Sequence, residues 1–340
     1  MILLDLTLDE LKNVIKDLGE PAFRAAQIYS WLNMGVPFEE MTNLSKALRE
    51  KLRAEYLEGY PNVVTVRESL DGTKKYLFAM QDGSLVESVL MRYEYGNTVC
   101  ISSQAGCAMG CRFCASTKGG LIRNLSAGEI LSQVVAINAL EGSGRSVKNV
   151  VMMGTGEPFH NYDNVVKAIR LMHAEKGLNI SARNISLSTC GLIDGIKKFA
   201  DEGLPVTLCL SLHSAFDVKR RQIMPVADRY SVKETVAAMR RYYEKTGRRV
   251  IFEYILIKDF NDGEEDILEL KKLSEKMACH VNLIPYNKVD GVPFEAPTVG
   301  HTHAFAAKLN ENGVSATVRR SLGRDIDGAC GQLRARTMQL

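Results

Sequence analysis

"QAGCAMGCRFC", Gln104 to Cys114, places three of the chain's eight cysteines within eight residues, with three residues between the first pair and two between the second. The strand-like "NTVCISS" (97–103) precedes the run, and Ser126 with Glu129 beyond it has the spacing of a capped helix start. The cysteines therefore sit on a Gly-containing loop between a strand and a helix. From there to residue 321 the pattern repeats: "NVVMMG", "NISLSTC", "VTLCLSLH", "RVIFEYILI", "HVNLIPY" and "SATVRRS" alternate with helix-length stretches. Continuous apolar runs separated by amphipathic helices predict parallel strands covered on both faces. About six or seven such units fit between residues 98 and 321, too few for an eight-unit barrel, so an incomplete α/β barrel is expected.

Upstream, the pattern differs. Thr7 with Glu10 caps a first helix, Pro21 opens "PAFRAAQIYSWL", and "SKALREKLRAEY" makes a third, so residues 1–60 read as a small helical accessory domain. In residues 61–92 the period changes to that of strands. "TKKYLFAM", an Asp82-Gly83 turn and "SLVESVLMRY" predict a short β-hairpin linker, and residues 93–340 form the core.

With 46% hydrophobic and 24% charged residues the chain is an ordinary globular protein, not a disordered one. A net charge of +3 from 43 basic and 40 acidic residues means that any nucleic acid would meet a local basic patch. The opening "MILLDLTLDELKN" has no signal-like leader and no stretch is apolar for a membrane-spanning length, so the expectation is a cytoplasmic protein without a membrane partner. In a reducing compartment, clustered cysteines hold metal or do chemistry more often than they pair.

Closely spaced cysteines on one loop are how a chain wraps an iron–sulfur cluster. Three thiolates, Cys107, Cys111 and Cys114, leave one iron of a cubane open to a small molecule. A structural zinc site is the competing reading, but zinc ribbons and fingers take ligands in two pairs, and the chain has no second C-x-x-C or H-x-x-x-H.

The spacing resembles that of the radical S-adenosylmethionine superfamily. The longer string "CISSQAGCAMGCRFCASTKGGLIRNLSAGEI" (100–130) is similar to the dual-specificity RNA adenine carbon-2 methyltransferases, the RlmN family. "VMMGTGEPFHNYDNV", "SLSTCG", "LSLHSAFD", "MPVADRY", "NLIPYN" and "GRDIDGACGQLR" extend the likeness over about residues 85 to 336. It implies an incomplete (β/α)6-type radical SAM barrel, a 4Fe-4S cluster and S-adenosyl-L-methionine. The activity implied is methylation of carbon 2 of an adenine in 23S ribosomal RNA and of one in transfer RNA. Cfr-type methylation of carbon 8 of the ribosomal adenine is the alternative, and Thr155, where the family usually has Met, loosens the match.

By the same resemblance Gly156 and Glu157 hold the methionine amino group, while Ser188, Ser211, Leu212, His213 and Asn287 contact the rest of the cofactor. Cys330 matches the cysteine that is methylated and then bonded to RNA, and Cys100 the one whose thiolate releases the product, leaving a transient Cys100–Cys330 disulfide. Glu87 stands where the family has a proton acceptor. Cys190, Cys209 and Cys279, in or beside apolar segments, read as core residues. A reducing donor such as flavodoxin and a monomeric state complete the expectation. Lys118, Arg123, Arg319, Arg320, Arg324, Arg334 and Arg336 form a candidate basic rim for phosphates.

Overall fold

The computed structural model describes residues 1–142, 146–287, 292–320, 322–326 and 332–337. At the N-terminus the Thr7 hydroxyl accepts from Glu10 N at 3.2 Å while the Glu10 carboxylate accepts from Thr7 N at 2.7 Å, so the predicted capping box starts α1 (Leu8–Asp17). Two more helices follow, α2 (Phe23–Asn33) and α3 (Lys46–Glu55), the latter capped by Ser45. Leu11 and Ile15 of α1, Ile28 and Leu32 of α2, and Leu48 and Leu52 of α3 are buried in one core.

The next four strands, β1 (Asn62–Glu68), β2 (Lys74–Ala79), β3 (Leu85–Met91) and β4 (Asn97–Cys100), pair antiparallel in sequence. A separate two-stranded ribbon of β5 (Gln104–Gly106) and β6 (Leu121–Asn124) brackets the cysteine loop. It leads into α4 (Ala127–Leu140), whose start carries the predicted Ser126–Glu129 capping box. There Asp5 Oδ1 accepts from Gly128 N at 2.6 Å, and a Cβ at Gly128 would come within 2.6 Å of Asp5 N. Only glycine lets the N-terminal turn close on α4 this way, so the helical region is joined directly to the barrel.

Six parallel strands then add to β4: β7 (Val147–Met152), β8 (Ile185–Thr189), β9 (Thr207–Ser211), β10 (Val250–Leu256), β11 (Cys279–Pro285) and β12 (Ala316–Val318). Among the described residues the sheet has ten strands in the order β1-β2-β3-β4-β7-β8-β9-β10-β11-β12. Its two ends, β1 and β12, are not paired to each other among the described residues, and this is the incomplete barrel that the apolar runs predict. Helices α5 (Tyr162–His173), α6 (Ile193–Ala200), α7 (Asp217–Ile223), α8 (Val232–Thr246), α9 (Glu264–Ser274) and α10 (Val299–Glu311) connect the strands. A last short helix, α11 (Gln332–Thr337), lies against β3 and the Ala115–Thr117 turn.

The β2–β3 hairpin is continuous with the barrel. β3 pairs with β4 in a register that sets Val89 opposite Cys100. Strand side chains alternate between faces, so Glu87, Val89 and Met91 share the face that turns toward the barrel interior.

Candidate active site

Turns and backbone bonds hold the cysteine loop between β5 and β6. Gly106 has φ +85°, and a Cβ there would lie 2.1 Å from Gly120 O, whose carbonyl accepts instead from Cys107 N at 3.0 Å. Cys114 N donates to Cys111 O at 3.1 Å, and Thr117 Oγ1 caps Cys114 O at 2.9 Å. Arg112 N donates to Ile223 O at 2.9 Å, tying the loop to the end of α7.

Cys107 and Cys111 are buried, and Cys114 is half-buried. Burial pushes the Cys107 thiol up to about 12 and the Cys111 thiol well above its ordinary value. Such thiols remain protonated at neutral pH unless a metal takes the proton's place. Among the described residues no three His, Cys, Asp or Glu side chains surround one point closely enough for a single metal ion. A cubane instead takes one thiolate at each of three separate irons, so the three cysteines on one wall of a large cavity suit a 4Fe-4S cluster.

That cavity has a volume of about 960 Å³ and opens at the C-terminal ends of the parallel strands. Cys107, Cys111, Cys114, Gly156, Glu157, Ser188, Ser211, His213 and Asn287 all line it. The loop after β7 is forced close to the segment that leads into β5: Gly156 has φ +116°, and a Cβ would meet Ser103 Oγ at 2.7 Å and Gln104 Cβ at 2.8 Å.

Glu157 is buried, and its backbone N–H donates to Gln104 Oε1 at 2.8 Å. Its Oε1 accepts from Thr189 Oγ1 at 2.7 Å and Phe159 N at 3.1 Å, and its Oε2 from Cys190 N at 2.7 Å. Burial raises its pKa against these three donors. A carboxylate offers about four lone-pair sites, so one is left for an ammonium group from the cavity.

Ser188 and Ser211 end neighbouring strands with their hydroxyls 3.2 Å apart. His213 takes a left-handed conformation, φ +55°, and its Nδ1 accepts from Ile255 N at 3.0 Å. The ring proton of the neutral imidazole is therefore on Nε2. Burial, helped by the charge of Arg220, holds His213 down at about 3, and its ring meets Phe113 edge-on at 4.7 Å. Leu212 differs from its neighbours: its buried side chain is not in the cavity wall, and only its backbone serves the site, the carbonyl accepting from Arg220 Nε at 3.0 Å.

Cys100 is buried in the same wall, packed with Val89, Met91 and Leu322. Cys330 lies outside the described residues, but Leu322, Gly323 and Gln332 on either side of it line the cavity. Glu87 is not a lining residue. Its Oε2 is 2.9 Å from Lys75 Nζ, and its Oε1 accepts from Arg334 N, so the carboxylate holds the start of α11.

The expected basic rim is thinner than its list of residues. Arg123 is engaged by both Asp82 and Glu129, Arg334 is buried, and Arg319 Nη1 is 3.9 Å from Glu253 Oε2. The side chains of Arg324 and Arg336 lie outside the described residues; Arg320 is at the cavity mouth.

Three participants escape sequence reading. Gln104 and Thr189 brace Glu157 from the flanks of two recognised motifs, and Cys190, expected as a core residue, is in the cavity wall beside Cys111. For Thr189 and Cys190 the position at or just beyond the end of β8 was the available signal, whereas Gln104 begins β5 and carries none.

Residues 1–57 match the model of the ribosomal RNA large subunit methyltransferase N-terminal domain, and residues 101–270 that of the radical SAM superfamily. The chain is 49% identical to a probable dual-specificity RNA methyltransferase RlmN of Clostridium beijerinckii, over 98% of this chain and 94% of the relative. With a protein of the same description from Lachnoclostridium phytofermentans it shares 51% identity, over 97% and 93%. The crystal structure of a radical SAM methyltransferase from Sphaerobacter thermophilus superposes with a TM-score of 0.94 at 44% identity, covering 98% of each chain.

Proposed function

Because this chain belongs to the family of the dual-specificity RNA methyltransferases RlmN, we propose that it methylates carbon 2 of an adenine in 23S ribosomal RNA and of an adenine in transfer RNA. One observation carries the reading. A single cavity gathers the three cysteines of the loop, the Glu157 carboxylate, the polar strand ends of β8 and β9, Cys100, and the residues flanking Cys330.

When bound, the cluster and S-adenosylmethionine supply one-electron chemistry, which adenine carbon 2 needs because its hydrogen is not acidic enough for a side-chain base. Cys107, Cys111 and Cys114 would hold the iron. Glu157, already braced by Thr189 and Cys190, would take the methionine ammonium, and Gly156 lets the turn beside it pack against Ser103 and Gln104. Ser188, Ser211 and Asn287 offer hydroxyl and amide groups to the nucleoside part, and His213 offers a fixed Nε2–H donor.

Cys330 would carry the methyl carbon to RNA and Cys100, in the wall between β3 and β7, would attack Cys330 to free the product. Glu87 is assigned the adenine proton. Its present bonds to Lys75 and Arg334 N mean that α11 must shift for it to reach a base. The target base has to leave its stack to enter the cavity. Residues 1–60 are assigned to RNA binding, 61–92 to the hairpin that links them with the core of 93–340.

An external one-electron donor of the flavodoxin kind, a monomeric state and a cytoplasmic location complete the proposal; no described helix is long and apolar enough to cross a membrane. The test is mass spectrometry of nucleosides from unmodified ribosomal and transfer RNA incubated with anaerobically reconstituted protein. The expected product is 2-methyladenosine in both RNAs; 8-methyladenosine, or no methylated nucleoside, would overturn the assignment.

A further inference from the structure

Arg220 of α7 is completely buried, and among the described residues its hydrogen bonds all run to backbone carbonyls. Nε donates to Leu212 O at 3.0 Å, and Nη2 to Cys190 O at 2.7 Å and Ser211 O at 3.2 Å. Among the described residues Nη1 has no partner, and no carboxylate lies within ion-pair distance. A buried cation costs several kcal/mol of desolvation unless an anion compensates it, and three carbonyl dipoles do so only in part.

The Cys190 carbonyl that Nη2 holds belongs to a residue of the cavity wall. Cys111 packs with Cys190, Ile223 and Met224, and the Ile223 carbonyl anchors the cysteine loop through Arg112 N. The helix that carries Arg220 thus also fixes the loop that carries Cys111. The missing anion belongs on that side of the cavity wall.

We propose that Arg220 is the fixed counter-charge of the iron–sulfur cluster, clamped by strand-end carbonyls where its charge favours the reduced state. The inference rests on reading Cys107, Cys111 and Cys114 as cluster ligands. Three thiolates on a dipositive cubane sum to one negative charge, and an electron from an external low-potential reductant makes it two, with no proton moved and no bond broken. In a site of low dielectric a nearby fixed cation stabilises the doubly charged state more than the singly charged one. Arg220 is a positioning and electrostatic residue in this scheme, not a catalytic one.

The experiment compares wild type with Arg220→Gln and Arg220→Lys after anaerobic reconstitution. Iron and sulfide content and circular dichroism are read first, then the cluster midpoint by dithionite titration followed by electron paramagnetic resonance. Arg220→Gln is expected to disfavour reduction at least tenfold, which is 59 mV for one electron, while Arg220→Lys stays near wild type. A folded Arg220→Gln that fails to load iron, beside an Arg220→Lys that loads it, supports the same assignment. An unchanged midpoint in Arg220→Gln overturns it. Equal behaviour of the two variants, in midpoint or in failure to fold, also overturns it and leaves the guanidinium a carbonyl clip. Wild-type protein without iron and sulfide would instead sink the cluster reading itself.

Discussion

Lys75 of β2 reaches diagonally to Glu87 of β3, with Nζ 2.9 Å from Oε2 and both side chains sealed from solvent. The pair sits under α11, whose Arg334 N–H occupies the other carboxylate oxygen. The acid assigned to proton transfer is thus also part of the docking site of the C-terminal segment.

Removing one partner of a buried pair leaves an uncompensated charge. Lys75→Met is expected to destabilise the protein by about 3 kcal/mol in urea unfolding. The double variant Lys75→Met, Glu87→Gln should recover more than half of that loss. Additive losses in the cycle would show that the two side chains do not depend on each other.

Glu157→Gln puts an amide where Thr189 and Cys190 both donate, and removes the negative charge. Affinity for S-adenosylmethionine, measured by equilibrium dialysis, should fall tenfold or more, about 1.4 kcal/mol, with iron content unchanged. Undiminished affinity would take Glu157 out of the cofactor site.

His213 titrates near 6.5 in the unfolded chain and at about 3 when folded. As pH falls through 6.5 the unfolded state takes up a proton that the folded state refuses, so stability drops down to about pH 3 by about 1.4 kcal/mol per unit. His213→Asn, which cannot take up that proton, should flatten this slope by one proton's worth in denaturation curves of the cluster-free protein. Parallel curves for the two proteins would disprove the assignment.

The turn between β1 and β2 clasps the chain ahead of Cys330. Ser69 Oγ donates to Asp325 Oδ1 at 2.5 Å, Leu70 N to Asp325 Oδ2 at 3.1 Å, and Gly323 N to Asp71 Oδ2 at 2.9 Å. Replacing Asp71 and Asp325 together by Ala should speed limited proteolysis of the C-terminus several-fold and leave S-adenosylmethionine binding intact. Unchanged proteolysis would mean that α11 alone holds the segment.

Local order was legible because it depends on neighbours in sequence. The capping pairs Thr7–Glu10 and Ser126–Glu129 start the helices they predict, and each apolar run from "NVVMMG" to "SATVRRS" is a strand of the sheet, with β8 and β11 alternating buried apolar residues with half-buried polar ones such as Ser186, Ser188, His280 and Asn282. The spacing of Cys107, Cys111 and Cys114 likewise lies on one loop and needs no fold to be seen. What tertiary structure alone decided are contacts between segments far apart in the chain. Arg220 beneath Cys190 and Leu212, Gln104 and Thr189 around Glu157, and Lys75 against Glu87 are set by how neighbouring strands and loops come together. Burial then turns each of these polar side chains from an ordinary surface residue into one whose partner determines its charge and its use, and burial is a property that no single stretch of sequence carries.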